Sequence, residues 1–283
     1  AGVERVCIIT PPDEKGEVDP ACLYAAGKCG ISEVYKTGGA QAIAALTYGT
    51  ETIKSVVKIT GPGSKYVSAA KRILSGLVDS GIPAGPSDSA ILADNTADPY
   101  KAALDLMTEA EHGSDSSAIL VTHSEKFARQ CIKHIKELIL LLPEQRKQFV
   151  CDVFEGFGGV IITRNVEESA EVINLYAPEH LQIITTDPWD TVGLIKNAAE
   201  ILLGDNTPFS CANYSIGANA VLPTGGKAKT WSALSVRDFM KYSSIVYSSE
   251  NGYKSLEKHV RILAEYEGFE AHANALKLRD KND

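Results

Sequence analysis

The sequence contains no pair of cysteines two residues apart: Cys7, Cys22, Cys29, Cys131, Cys151 and Cys211 are scattered through 283 residues. A chain of this length buries enough surface to fold without disulfide staples, so the thiols are expected to stay reduced and the expected location is the cytoplasm. No apolar run approaches the roughly 20 residues a membrane span needs; Leu138 to Leu142 is a short stretch within a helical pattern. The first residues lack a basic segment, a signal-type apolar run and an initiator Met, so Ala1 is not expected to be a natural start. Positive charge is also in deficit, with 28 Lys and Arg against 36 Asp and Glu. A net charge of -8 repels nucleic acid and anionic membrane, which leaves a small molecule as the expected partner. Neither the Gly-x-Gly-x-x-Gly dinucleotide fingerprint nor a P-loop occurs.

What is present reads as a packed α/β protein. Hydrophobic residues make up 44% of the chain and charged residues 23%, enough for a core and without a signature of disorder. Strand-length apolar runs alternate with helical patterns from Val6 onward, the pattern of βαβ units around parallel sheets. The expected strands are Val6–Ile9, Glu33–Lys36, Val56–Thr60, Ala90–Ala93, Ala118–Thr122, Val160–Thr163, Leu181–Thr185 and Ile201–Leu203. The expected helices are Asp19–Gly30, Gly39–Tyr48, Gly63–Leu74, Pro99–His112, Glu125–Leu141, Val166–Tyr176, Pro188–Ala198 and Tyr253–Tyr266. The Gly- and Pro-rich stretch from Ser80 to Ser87 continues neither a helix nor a central strand, so a domain boundary is placed there. The expected architecture is two Rossmann-like parallel-sheet domains, residues 1–80 and 81–230, followed by a helical tail over 231–283.

Four features carry candidate chemistry. Glu109 and His112, three apart in the last turn of one helix, share a face and fit a metal pair, although the same spacing also suits a solvated surface. Glu179 and His180 stand where a helix meets a strand, an edge where α/β active sites collect, and pair a carboxylate with an imidazole suited to general-base work. Their alternative is a helix C-terminal His bonding spare carbonyls. The long polar loop Gly204–Gly226 holds Cys211, expected to be a packed thiol because no basic residue near it in sequence lowers its pKa. Gly38-Gly-Ala-Gln-Ala and Gly61-Pro-Gly-Ser-Lys each join a strand to a helix and offer helix N-terminal amides to a nucleotide phosphate.

Taken in order, Gly38-Gly-Ala-Gln-Ala-Ile-Ala-Ala-Leu46, Tyr48-Gly-Thr-Glu51, Gly61-Pro-Gly63, Pro83-Ala-Gly-Pro-Ser87, Glu109-Ala-Glu-His-Gly113, Pro178-Glu-His-Leu181, Val221-Leu-Pro-Thr224 and Ala271-His272 resemble the histidinol dehydrogenase family along the whole chain. The resemblance implies an NAD-dependent, zinc-dependent homodimer that oxidises L-histidinol through the aldehyde to histidine. It implies His180 as the base and Glu179 as the group that activates water. It further implies zinc ligands at Glu109, His112, Asn213 and His272, substrate contacts at Ser87 and Glu267, and cofactor contacts at Gln41, Gly61, Gly63 and Ser64. The tail would reach the partner subunit, so that active sites are shared and the monomer is inactive.

Four departures from the family pattern qualify that implication. The family's ligand Gln is Glu109 here and its ligand Asp is Asn213, so a carboxylate and an amide have exchanged places while ligand charge is kept. Ala220 stands where the family has a substrate-facing His, and Ser64 where it has an Asn near the cofactor. The family's additional N-terminal segment has no counterpart, which implies a fragment or a shortened relative. Two other readings therefore stand beside histidinol oxidation: a paralogous dehydrogenase of another small polar alcohol, such as a sulfonated propanediol, and a catalytically silent ligand-binding relative.

Overall fold

In the computed structural model, residues 1–279 are described. By their internal contacts they divide into two compact units, Ala1–Phe239 and a second that begins at Met240. The fold is mixed α/β with parallel sheets, as the alternating pattern requires.

The first unit opens with β1 (Cys7–Thr10), α1 (Pro20–Lys28) and β2 (Glu33–Lys36). The two strands pair in parallel, Cys7 opposite Glu33 through Thr10 opposite Lys36. Helix α1 starts as its sequence dictates, with Pro20 in the first turn and the Asp19 side chain accepting from Ala21 N. Helices α2 (Gly39–Tyr48) and α3 (Lys65–Leu74) follow. Ile43, Leu46, Ile59 and Val78 are buried together in this part. The expected strand Val56–Thr60 does not form. Ile59 N donates to Asp79 O and Asp79 N to Val57 O, a single bridge that the turn at Ser80-Gly81 ends.

Five parallel strands build the main sheet: β3 (Asp88–Ala93), then after α4 (Pro99–Ala110) β4 (Ser117–Thr122), and after α5 (Glu125–Leu138) and α6 (Glu144–Glu155) β5 (Gly159–Ile162). Helix α7 (Val166–Tyr176) leads to β6 (His180–Ile184), and α8 (Pro188–Val192) to β7 (Glu200–Leu203). The spatial order is β5-β4-β3-β6-β7, so the chain winds outward from β3 in both directions. Strands β3 and β6 are buried throughout, as a sheet covered on both faces requires. Alternation decides the faces: Ile91, Ala93 and Leu120 pack under α4 and α5, while Ala90, Leu92, Val121, Leu181 and Ile183 pack with Ile173 of α7.

Four helical readings differ from the structure. Helix α6 has no counterpart among the expected elements, and the helix from Glu125 ends at Leu138, passing into a 3-10 turn over Ile139–Leu141. The helix from Pro188 stops at Val192: Gly193, Leu194 and Ile195 N bond back three residues in tightened turns, and beyond them Asn174 Oδ1 accepts from Lys196 N at 2.6 Å and Asn197 N at 3.0 Å. The polar loop after β7 is not structureless, since α9 (Phe209–Tyr214) stands in it with Phe209 fully buried.

The second unit holds α10 (Glu250–Tyr266), capped by Ser249 accepting from Gly252 N, and α11 (Glu270–Lys277). Most of its surface is exposed, with Ala264 and Ala273 buried. Among the described residues no helix is long and apolar enough to cross a membrane.

Candidate active site

The start of β6 gathers the candidate catalytic pair. Helix α7 ends on Ala177, which at φ 54° is the one non-glycine among the described residues with positive φ, and Pro178 follows. A left-handed residue before proline is a strained arrangement, and it is held because Ala177 is fully buried. The turn delivers Glu179 to the sheet edge, where Asp88 and Glu179 bind reciprocally: Glu179 N donates to Asp88 Oδ1 at 2.7 Å and Asp88 N to Glu179 Oε2 at 3.2 Å. Asp88 Oδ2 also accepts from Gly225 N, tying in the loop after α9.

His180 follows, 5% exposed, with Nδ1 at 2.7 Å from Glu200 Oε2 and Nε2 at 3.8 Å from Glu179 Oε1. The ring of Phe209 lies edge-on to it, with centroids 5.9 Å apart. Burial disfavours the imidazolium, but the Glu200 hydrogen bond and the charges of Glu109, Glu179 and Glu200 outweigh it and raise the His180 pKa. Burial raises Glu179 to about 7, with opposition from His180, Ser87 and the Asp88 amide.

Glu109, on the last turn of α4 and 1% exposed, is the hub of the second half of the site. Its Oε1 accepts from Asn213 Nδ2 of α9 at 2.7 Å; its Oε2 lies 2.9 Å from Ser87 Oγ and 3.3 Å from His112 Nδ1. Ser87 Oγ is also 3.0 Å from Glu179 Oε2. One hydroxyl proton serves one carboxylate, so a neutral Glu179 donates to Ser87, which donates to Glu109. That assignment agrees with a Glu179 pKa near neutrality.

A buried carboxylate met by a serine, an amide and a half-exposed imidazole lacks a full counter-charge, which a divalent cation beside it would supply. Glu109, His112 and Asn213 thus fit a metal. Among the described residues no group of three His, Cys, Asp or Glu is gathered for a cation; the gathered set is one carboxylate, one imidazole and one amide.

Six expected site residues therefore meet in the first unit: Ser87, Glu109, His112, Glu179, His180 and Asn213. Gln41 lies in the first turn of α2, Gly61 (φ 110°) and Gly63 in the turn before α3, and Ser64 at the N-cap of that helix. Lys71 Nζ donates to Gly61 O at 3.1 Å. Glu267 caps the end of α10 and His272 lies on α11, both in the second unit.

Two expectations require correction. The Glu179-His180 edge is not the one where ligands of doubly wound sheets usually collect: Ser87, Glu179, His180 and Glu200 stand at the amino ends of β3, β6 and β7. A helix-to-strand junction is an amino end by construction. Cys211 is exposed and not packed, because α9 turns Phe209 and Ala212 to the core instead. Asp88 and Glu200 were missed, since a carboxylate opening an apolar strand signals little until the strand register is known.

Comparison with known proteins covers nearly the whole chain. A family model described as histidinol dehydrogenase matches residues 1–280. The chain is 52% identical over 280 residues to "Histidinol dehydrogenase" of Synechocystis sp. and 51% identical over 282 residues to "Histidinol dehydrogenase homolog" of Rhizobium meliloti. Those alignments cover 99% of this chain but 64% and 62% of the relatives, so the chain spans somewhat under two thirds of their length. A crystal structure of histidinol dehydrogenase from Elizabethkingia anophelis superposes with a TM-score of 0.94 at 37% identity, over 99% of this chain and 64% of that one. Sequence and fold thus agree over the span in which the Glu109 and His180 clusters are assembled, and the chain belongs to the histidinol dehydrogenase family.

Proposed function

We propose that this chain is the catalytic part of an NAD-dependent and zinc-dependent dehydrogenase that oxidises L-histidinol through the aldehyde to L-histidine. The observation that supports the reading is the run of contacts Glu200–His180, Glu179–Ser87–Glu109 and Glu109–Asn213, in which a buried imidazole, a buried carboxyl group and a carboxylate–amide pair lie side by side.

In this reading neutral His180 takes the hydroxyl proton of the alcohol through Nε2, which lies 3.8 Å from Glu179 Oε1 and makes no hydrogen bond among the described residues. NAD, when bound, would supply the hydride acceptor for both oxidations. Glu179, poised at about 7, then accepts a proton from the water that hydrates the aldehyde, which readies the hydrate for the second oxidation. Ser87 orients substrate and links Glu179 to Glu109 through its hydroxyl. Glu109, His112 and Asn213 hold zinc, together with the partner subunit's His272 in a homodimer with shared sites. The ion supplies charge stabilisation and orientation for the substrate amine and ring. The partner subunit's Glu267 completes substrate recognition, and Gln41, Gly61, Gly63 and Ser64 receive the cofactor.

Residues 1–80 serve as the cofactor domain, 81–230 as the catalytic domain and 231–283 as the dimerisation tail. Six free cysteines suit the reducing cytoplasm. Incubation with L-histidinol, NAD and zinc tests the reading through the absorbance of NADH. Two NADH per histidinol are expected, and no NADH from histidinol beside turnover of another polar alcohol overturns it in favour of a paralogous specificity, which exposed Ala220 in the loop after α9 would accompany.

A further inference from the structure

We propose that Glu200 is the positioning residue of the acid–base pair: its carboxylate accepts the Nδ1 proton of His180 and leaves Nε2 as the atom that takes the substrate proton. The inference deepens the proposed function and rests on His180 being its base.

Register brings the two together. In the parallel pairing of β6 with β7, His180 lies opposite Glu200, and the backbone N of Glu200 donates to Glu179 O at 3.0 Å. Residues opposite each other in a parallel ladder project from the same face, so the carboxylate meets the ring without a long reach. The contact is short, 2.7 Å from Glu200 Oε2 to His180 Nδ1, and both side chains are less than a tenth exposed. Among the described residues, no Lys or Arg shares the Glu200 carboxylate.

A carboxylate in this place is not what packing alone selects. The rest of β7 reads Ile201-Leu-Leu203, and an apolar side chain at its first position would avoid the desolvation of a charge. What the carboxylate does and an apolar group cannot do is choose a tautomer. A neutral imidazole has one N–H, and an acceptor at Nδ1 draws it there. The ring is then held from both sides, by Glu200 at Nδ1 and by the edge-on Phe209. Its Nε2 faces the Glu179 side of the site, toward Ser87 and Glu109.

The test uses the full chain labelled with ¹⁵N in its histidine rings, the His180 signals being assigned by loss in His180→Gln. At a pH where His180 is neutral, its Nδ1 is expected to be protonated and its Nε2 bare. In Glu200→Gln, which keeps volume but whose amide accepts or donates equally well, the two tautomers are expected to mix. With L-histidinol and NAD, kcat is expected to fall roughly 100-fold, the scale of a general base, with KM within about threefold. Glu200→Asp, which keeps the acceptor, is expected to recover much of both. An Nε2-protonated ring in the unmodified protein, or a tautomer unchanged in Glu200→Gln, overturns the inference. Absence of NADH from the unmodified protein overturns the histidinol reading instead, while the ring signals still decide the role of Glu200.

Discussion

Glu109 Oε1 accepts a hydrogen bond from Asn213 Nδ2 at 2.7 Å, joining the end of α4 to α9 across 104 residues of sequence. Where family members are expected to place an amide and a carboxylate, this chain has the two groups exchanged, and the buried member of the pair here is the carboxylate. Glu109→Gln removes the only carboxylate of the Glu109, His112 and Asn213 set. Zinc affinity by titration calorimetry is expected to fall by roughly tenfold or more, the weight of one charge-assisted contact of about 1.5 kcal/mol. The double variant Glu109→Gln with Asn213→Asp is expected to regain most of it. Unchanged affinity in the single variant would dismiss Glu109 as a ligand.

The proposed acid–base pair sets the expected pH dependence. As the proposed base His180 would act only when neutral, and its pKa is raised from 6.5, so kcat/KM is expected to climb with pH and reach half its plateau above 6.5. Glu179, at about 7, adds a limb in the same direction, because it accepts a proton from water only when ionised. A rate already at its plateau at pH 6 would contradict both assignments.

Glu179 also ties stability to pH. Its folded value of about 7 lies above the ordinary 4.5, so between those values the folded state binds more protons than the unfolded one and stability falls as pH rises. Glu179→Gln resembles the protonated group. It is expected to leave denaturant stability nearly unchanged at pH 4 and to raise it at pH 8 by up to about 3 kcal/mol, at ~1.4 kcal/mol per unit. An equal change at both pH values would show that packing and not ionisation is responsible.

Phe209 links core and site, being fully buried with its ring against His180. Phe209→Ala is expected to destabilise the protein by about 3–5 kcal/mol in urea unfolding, as buried aromatic truncations do. Phe209→Leu is expected to be milder in stability yet to lower kcat, since it fills the core without an edge to hold the imidazole. Loss of stability with unaltered kcat in Phe209→Leu would confine Phe209 to the core.

At the opposite, carboxyl edge of the sheet, Asp94 Oδ2 accepts from Thr186 N at 2.7 Å and Thr186 Oγ1 at 2.9 Å, and Oδ1 from Thr96 N at 2.8 Å. Burial opposes ionisation there, but these donors outweigh it and lower the pKa from 3.8, so the contribution to stability is present above 3.8 and lost as pH falls through the depressed value. Asp94→Ala is expected to cost about 2 kcal/mol near neutral pH and to leave kcat and KM unchanged. A kinetic effect would place chemistry at this edge as well.

Much of the fold was legible because it is written locally. Asp19 and Pro20 start α1, Asp98 and Pro99 start α4, and Val166–Tyr176 was read with its true ends. The misread segments are those that a distant partner decides: Val56–Thr60 found one bridge in place of a ladder, and Asn174 took the amides of Lys196 and Asn197 beyond the end of α8.

The site divides in the same way. Residue order alone determined which side chains carry chemistry, since Glu109 and His112 share one helical turn, and Glu179 and His180 are neighbours in the chain. Only the tertiary structure decided how they are arranged. The register of β6 against β7 brought Glu200 to His180, α9 brought Asn213 to Glu109, and the winding of the sheet put the cluster at the amino edge. The reason is physical: a hydrogen bond between residues 20 or 104 positions apart depends on how strands and helices pack, and no local pattern encodes that.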